Sequence, residues 1–182
     1  MTRIGEISGM LKPSVPHIEV YGAFASASVV AWNDVLWAFN EFNTSDFELR
    51  SDGTILVYTT GIYIIDFELG VKLPNQSTNA TVTIQILNNG NLVNGSQSII
   101  KLLNAAGETN NYGQLYASKT VYLKAYDLVS FQFYTTSNTL ILADNIGNGS
   151  SVYYSRARIS YTPFGGYNNN ACGSVVFRGI RR

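Results

Sequence analysis

The stretch from Asp46 to Val71 constrains the fold more than any other part of the chain. It holds three short runs rich in Ile, Val, Tyr and Phe, separated by Ser51-Asp52-Gly53 and by Thr59-Thr60-Gly61. Asp and Gly tolerate the backbone angles that let a strand reverse, so both separators predict turns. After Gly61 every second residue is apolar, which predicts a strand with one face in a core. That face consists of Tyr63, Ile65, Phe67, Leu69 and Val71.

The opposite face of this predicted strand changes character along its length. Ile62 and Ile64 are apolar, whereas Asp66 and Glu68 are charged. A strand that is apolar on both faces at one end is usually covered on both sides there, by a second sheet or by a neighbouring subunit. We therefore expect the Ile62 end to be covered.

Alternation and turn residues predict further strands after the central stretch. Ala80, Val82, Ile84 and Ile86 alternate with polar residues, as in a half-buried antiparallel strand. Asn89-Gly90 predicts a type I′ hairpin, whose two central residues need positive φ. The strands are expected at residues 80–86, 92–103, 112–123, 128–134 and 152–162. Connections are expected at 72–79, 104–111, 124–127 and 135–151, the last with room for a short strand at 139–142.

The segment from Trp32 to Phe42 fits two structures. Its aromatic residues suit a short strand with a bend, but Trp32, Leu36 and Phe39 would also share one face of a helix. We favour the strand and bend, because the segments on both sides are predicted to be β.

Composition supports an all-β fold and limits the kinds of partner that the protein is expected to bind. Of 182 residues, 13% are aromatic and only 13% charged, and the formal net charge is zero. Aromatic surfaces with few charges often pack against another protein. A neutral chain is a poor nucleic-acid binder, so no nucleic-acid partner is expected. No run approaches the roughly 20 apolar residues that cross a bilayer, and the N-terminus lacks the pattern of a signal peptide.

A resemblance to a known family joins these strands into one architecture. The run from Phe47 to Tyr63, F-x-L-x-x-D-G-T-I-x-V-x-x-x-G-I-Y, resembles the signature of C1q/TNF-like domains. The Asn89-Gly90 hairpin, the turn at Tyr126-Asp127-Leu128-Val129 and the last strand come in the order that those domains show. The resemblance implies an all-β, two-sheet antiparallel jelly-roll sandwich of ten strands, assembled as a compact homotrimer.

The chain departs from the family pattern at two positions and at its ends. Tyr126 stands where a Gly is usual, and Arg156-Ala157 stands where Ser-Gly is usual. No collagen-like Gly-x-y tract precedes the domain, so a complement-type stalk is not expected. We expect an N-terminal arm at 1–17, a jelly-roll domain at 18–164, and a C-terminal linker and tail at 165–182.

Residue types that commonly carry catalysis are scarce. His17 is the only histidine and Cys172 the only cysteine, and we find no nucleophile elbow or P-loop. We expect His17 to be partly buried at the start of a strand. Six acidic residues lie between residues 41 and 68, and they suit solvated strand edges better than loops that bind calcium. Paired carboxylates for glycoside cleavage are an open alternative, because separation in space does not follow from the sequence. The six are Glu41, Asp46, Glu48, Asp52, Asp66 and Glu68. We therefore predict no enzymatic activity, no cofactor and no metal.

Two sets of residues are candidates for protein contacts. Apolar and tyrosine-rich faces have no use in a monomer, so a trimer interface is predicted at Ile62, Ile64, Tyr154, Arg156 and Arg158. The C-terminal tail mixes apolar residues with arginines, and no acid follows Asp144. Docking onto an acidic partner surface is predicted for Val175, Val176, Phe177, Arg178, Ile180, Arg181 and Arg182.

These features predict a non-enzymatic structural protein of a viral particle, in the first place a phage. It would be a trimeric capsid decoration or fibre-head protein, assembled in the host cytoplasm and located in the virion, with a capsid or other virion protein as its partner. One alternative is an adhesin head that binds a host-surface glycan or receptor through loops at 104–111 or 135–151. A second is a bacterial spore-surface C1q-like protein.

Overall fold

The computed structural model describes residues 15–25, 31–74, 79–103, 110–137, 139–142, 146–148, 151–153 and 155–162. Within these ranges every regular element is a β-strand. Most of both predicted arms lies outside the described residues, including Cys172. So do these residues predicted to make protein contacts: Tyr154, Val175, Val176, Phe177, Arg178, Ile180, Arg181 and Arg182.

The strands of the described residues are numbered in chain order. They are β1 His17–Phe24, β2 Asn33–Asp34, β3 Leu36–Asn43, β4 Phe47–Leu49, β5 Ile55–Val57, β6 Gly61–Pro74, β7 Ala80–Asn88, β8 Asn91–Leu92, β9 Ser98–Leu102, β10 Asn110–Leu123, β11 Leu128–Thr135, β12 Ile141–Leu142, β13 Ile146–Asn148, β14 Ser151–Tyr153 and β15 Arg156–Tyr161. The segment from Trp32 to Phe42 is therefore strand and bend, not helix. His17 begins β1 and is half-buried, as predicted.

The strands form two antiparallel sheets and one small hairpin. The first sheet has the order β10-β6-β15-β1-β3, with β12 also paired to β6. The second sheet has the order β4-β5-β11-β7-β8, with β2 paired to β11 and β9 paired to β7. Strands β13 and β14 pair with each other. The fold is the predicted all-β, two-sheet jelly-roll sandwich.

The core fills the space between the two sheets. The inner row of β6 is fully buried, as its alternation predicts, and it faces Val129, Phe131 and Phe133 of β11. Phe67 of the first sheet and Phe131 of the second lie 5.0 Å apart between ring centroids. The Trp37 ring lies edge-on to both. These rings join the sheets, since buried aromatic pairs add stability beyond the area that they bury.

Positive φ angles mark the tight turns. Asn89 and Gly90 have φ of 50° and 76°, which confirms the predicted type I′ hairpin between β7 and β8. Gly53 has a φ of 80°, and a Cβ there would lie 2.5 Å from the carbonyl oxygen of Val35. Tyr126, the residue that replaces the usual glycine, has a φ of 72°. A side chain in this region strains the backbone, so Tyr126 is costly where it stands.

Two predicted strands are interrupted by buried serines. The returning strand expected from Leu92 to Leu103 breaks between β8 and β9, where Ser96 Oγ accepts a hydrogen bond from the Ile86 amide and donates one to the Ile86 carbonyl. The strand expected from Val152 to Thr162 breaks between β14 and β15, where Ser155 Oγ accepts from the Gly70 amide. Each hydroxyl satisfies buried backbone groups that a continuous strand would have paired.

Two predicted connections contain more strand than expected. Residues 72–74 extend β6 instead of opening a loop, and Leu73 is buried. Pro74 has no N–H to donate, and the strand ends with it. The expected loop at 135–151 contains β12 and β13, and its last residue starts β14.

Candidate interaction surface

The outer face of the first sheet gathers residues from four neighbouring strands. Antiparallel pairing places Asp66 of β6 opposite Ser118 of β10 and opposite Arg158 of β15. Two residues along the strand, Glu68 lies opposite Arg156. Glu19 of β1 pairs with Arg158 from the far side of β15. The register therefore brings three acids and two arginines into one group on this face.

These five residues form an ionic ladder, a name used here for Glu19, Asp66, Glu68, Arg156 and Arg158. Arg156 donates to Glu68 Oε1 from Nε at 3.0 Å and from Nη2 at 2.6 Å. Its Nη1 reaches Glu19 Oε1 at 3.4 Å. Arg158 Nη2 lies 2.7 Å from Asp66 Oδ2. The carboxylates are mostly covered while the guanidinium groups are more exposed, so the ladder presents arginine edges outward.

Asp66 is the most heavily hydrogen-bonded acid of the ladder. Burial acts to raise the pKa of its carboxyl, but hydrogen bonds from Ser118, Arg158 and Tyr116 outweigh burial and lower the pKa below its ordinary value. Ser118 Oγ donates to Asp66 Oδ1 at 2.7 Å and the Tyr116 hydroxyl donates at 3.0 Å. The folded protein therefore favours the charged form of Asp66.

An apolar corner lies on the same face, at the Gly61 end of β6. It consists of Ile62, Ile64 and Tyr122, with Tyr122 directly opposite Ile62 on β10. Ile64 is 37% exposed and Tyr122 58% exposed. An exposed apolar group beside a charged, internally paired one is typical of a surface that another protein covers.

The structure brings four of the five predicted interface residues onto one face. Ile62, Ile64, Arg156 and Arg158 all lie on the outer face of the first sheet, and Tyr154 lies outside the described residues. Whether this face is a trimer interface stays a prediction. Four further residues of this face were not predicted from the sequence: Glu19, Tyr116, Ser118 and Tyr122. The period-two pattern of β10 could have indicated the last three, because Leu115, Ala117 and Leu123 alternate with them and are buried.

Three of the other acids between residues 41 and 68 accept hydrogen bonds from nearby hydroxyl groups. Asp46 accepts from Thr59 Oγ1 at 2.7 Å, Glu48 from the Tyr58 hydroxyl and Asp52 from Thr54 Oγ1 at 2.7 Å. The hydrogen bonds from Thr54 lower the pKa of Asp52. The side chain of Glu41 lies outside the described residues. Among the described side chains, no three His, Cys, Asp or Glu residues group closely enough to hold a metal ion.

The described part of the chain also contains no helix with the length and apolar character needed to cross a membrane. The only histidine, His17, has its Nδ1 2.9 Å from the carbonyl oxygen of Val15. This contact holds the His17 ring against the backbone at the start of β1.

Comparison with known proteins supports the fold. No protein-family model matches the chain, and no curated protein matches it in sequence. Among solved structures, the crystal structure of murine APRIL at pH 5.0 is similar, with a TM-score of 0.55 and 11% sequence identity. The match covers 81% of this chain and 99% of that one. At this identity the likeness shows the fold alone, which is a TNF-like jelly roll.

Proposed function

We propose that this protein is a non-enzymatic structural protein, the trimeric head of a capsid decoration or fibre on a viral particle. The observation that carries the proposal is the apolar corner beside the ionic ladder on the outer face of the first sheet. Exposed isoleucine and tyrosine are costly in water, and burying them against a second chain would remove that cost. The paired carboxylates beside them need no cation from a partner.

A closed ring of three is the assembly that the C1q/TNF-like resemblance favours. In a cyclic trimer every copy of the face meets a neighbour, so no adhesive surface stays open to grow fibres. A jelly roll also leaves sheet edges, here at β3 and β10 of the first sheet. Packing between subunits is one way to protect such edges from pairing with other chains.

The place on a particle is proposed from the sequence on both sides of the jelly roll. The flanking segments carry apolar residues, among them Ile4 and Leu11 before it and Val175 and Phe177 after it. Segments too short to fold alone become ordered by docking, often as an added strand on another sheet. We propose that the C-terminal segment, with Arg178, Arg181 and Arg182, holds the head on a capsid or other virion protein.

Two experiments test the two halves of this proposal. Light scattering of the full chain at low concentration should give the mass of three 20.0 kDa chains, and a stable species of one chain would contradict the trimer. Protein identification in purified particles should find the chain in virions. Finding it instead on spore coats, or only on a cell surface, would favour one of the two alternatives.

A truncation separates attachment from folding. Removing residues 167–182 should leave a folded trimer that no longer co-purifies with the particle. Loss of folding in the truncated chain would show that the segment belongs to the core, and continued co-purification would show that it is not the anchor.

A further inference from the structure

The outer face of the second sheet carries a row of polar side chains that crosses four neighbouring segments. Asp34 lies on β2, Gln132 on β11, Gln85 on β7, and Gln97 just before β9. Gln97 Nε2 donates to Gln85 Oε1 at 3.0 Å, Gln85 Nε2 donates to Gln132 Oε1 at 2.9 Å, and Gln132 Nε2 donates to Asp34 Oδ1 at 2.8 Å. We call these four residues the amide row.

Asp34 determines the direction of the whole row. A carboxylate only accepts hydrogen bonds, so Gln132 must turn its NH₂ group toward Asp34 and its oxygen toward Gln85. Gln85 must then donate to Gln132 and turn its own oxygen toward Gln97. The three amides are thereby held in one orientation, although they lie on the outside of the sheet. Gln85 is only 7% exposed, which locks the middle of the row.

An apolar row runs parallel to the amide row, two residues away along each strand. It consists of Trp32, Tyr134, Thr83 and Ile99, and the register pairs Tyr134 with Thr83 and Thr83 with Ile99. The Trp32 and Tyr134 rings lie 5.9 Å apart between centroids. Trp32 is 38% exposed and Ile99 69% exposed. At the usual spacing of about 4.8 Å between strands, the two rows are each about 14 Å long.

Trp32 is held in place by its neighbour in the chain. The side chain of Asn33 points inward, where it is buried and its Nδ2 donates to the carbonyl oxygens of Ala31 and Phe133. Inward Asn33 forces Trp32 and Asp34 outward, because side chains alternate along a strand. The ring contact of Trp32 with Tyr134 and the hydrogen bonds of the amide row order these side chains before a ligand binds, which lowers the entropy cost of binding.

We propose that this face binds a neutral glycan, with sugar rings on the apolar row and hydroxyl groups on the amide row. A pyranose has an apolar face of C–H groups and a rim of hydroxyls that both donate and accept. Gln97 is exposed and Gln132 partly exposed, and these two oriented amides keep N–H and oxygen positions unused by the row, which both donate and accept. This proposal concerns a different face from the one in the proposed function and stands independently of it.

Charge and desolvation favour a neutral glycan over a nucleic acid, an acidic glycan or a protein. Asp34 is the single charged side chain in the two rows. Lys101 lies opposite Thr81, two residues beyond the apolar row along its strand. A nucleic acid needs several cations near its phosphates, and an acidic glycan would meet Asp34 first. A protein partner would leave the amides short of hydrogen bonds unless it carried a matching polar row, and each unmade bond would weaken binding.

The test is a glycan array probed with the full-length protein. It carries neutral oligosaccharides of glucose, galactose, mannose and N-acetylglucosamine, with sialylated and sulfated glycans for comparison. We expect binding to at least one neutral class. No binding to neutral glycans, or a preference for the acidic ones, would overturn the proposal.

Variants then locate the binding. Trp32→Ala and Gln132→Met should each weaken the affinity for the neutral oligosaccharide by about tenfold or more, as expected at residues that dominate binding. Trp32→Phe should retain part of the affinity, because a ring remains. The matched control is Tyr126→Ala, which removes an exposed ring elsewhere and should bind normally. Binding that survives in both test variants, or that is lost in the control too, would contradict the assignment.

Nuclear magnetic resonance gives a readout that does not depend on how well the variants fold. On adding the same oligosaccharide to the unaltered protein, the indole N–H signal of Trp32 should shift and that of buried Trp37 should not. The opposite pattern would sink the proposal. So would a change in oligomeric mass in Trp32→Ala, since that would mean that a second copy of the chain covers this face.

Discussion

The outer faces of the two sheets differ in the charge of their polar side chains. Both sheets carry polar side chains across neighbouring strands beside an apolar group. On the first sheet those side chains are charged and form the ionic ladder, whereas on the second they are the neutral amides of the amide row, ended by Asp34. A charged ladder responds to salt and acid. Hydrogen bonds between neutral amides are less sensitive to salt, which suits a face that presents oriented hydrogen-bonding groups.

The largest effect should come from placing a charge on each face in turn. Ile64→Arg puts a cation in the apolar corner, and we expect the proposed trimer to dissociate to single chains of 20.0 kDa, because an unpaired charge cannot be buried cheaply. Ile99→Arg is the matched change on the second face and should leave the assembly intact. Light scattering measures both. Dissociation by Ile99→Arg alone would reverse the roles of the faces.

Acid should destabilise the protein through the first face. The lowered pKa of Asp66 means that its contribution is fully present above the unfolded-state pKa of about 3.9 and is lost as pH falls through the lower folded-state pKa. Asp66→Asn should lower the free energy of unfolding by about 1–2 kcal/mol at neutral pH, since it weakens charged hydrogen bonds at a partly exposed site.

The pH dependence of stability tests whether Asp66 causes the expected sensitivity to acid. Urea unfolding followed from pH 7 downward should show a smaller loss of stability in Asp66→Asn than in the unaltered protein. Ser118→Ala, which removes one donor to the same carboxylate, should change the pH dependence in the same direction by less. Identical acid profiles for all three proteins would show that Asp66 does not contribute.

A smaller effect is expected in the amide row, and it should not depend on salt. Gln85→Met removes two hydrogen bonds from a buried side chain of similar size and should cost about 1 kcal/mol of unfolding free energy. Urea titrations at low and high sodium chloride should give the same cost. Glu68→Gln on the first face serves for comparison, and its cost should shrink at high salt because Arg156 is partly exposed. A salt-dependent cost for Gln85→Met would contradict the distinction between the faces.

The smallest expected effect on stability comes from the turn from β10 to β11, which connects the two sheets. Tyr126→Gly should raise the free energy of unfolding by about 0.5–1 kcal/mol, because glycine adopts positive φ without strain. Tyr126→Ala keeps the strain while it also removes the ring that contacts Tyr58 at 6.3 Å. The difference between the two variants in thermal or urea unfolding isolates the strain. Equal stabilities would show that the backbone there is relaxed.

The sequence predicted what depends on residues close together in the chain. The buried row Tyr63, Ile65 and Phe67 follows from alternation, and the Asn89-Gly90 turn follows from the need for positive φ. The apolar end at Ile62 and Ile64 was identified for the same reason. Such features need no knowledge of which strand lies beside which.

The amide row could not be predicted in that way. Asp34 and Gln132 are 98 residues apart, and Gln85 and Gln132 are 47 apart. Only the strand order and register bring them together, and a glutamine in a strand reads as an ordinary solvated residue. Ser96 and Ser155 were missed for a related reason, because each hydroxyl pairs with backbone on another strand.

The position of β15 determines which of the two sheets can form first during translation. This late strand lies in the middle of the first sheet, between β6 and β1, and it pairs Ser160 with His17. The main strands of the second sheet all come from residues before 136. During translation, all of these strands are therefore synthesised before β15, the central strand of the first sheet. Pairing of such distant segments is slow. The ionic ladder therefore forms only in chains translated past Arg158, so shorter translation products lack the charged part of the face through which we propose that the protein assembles.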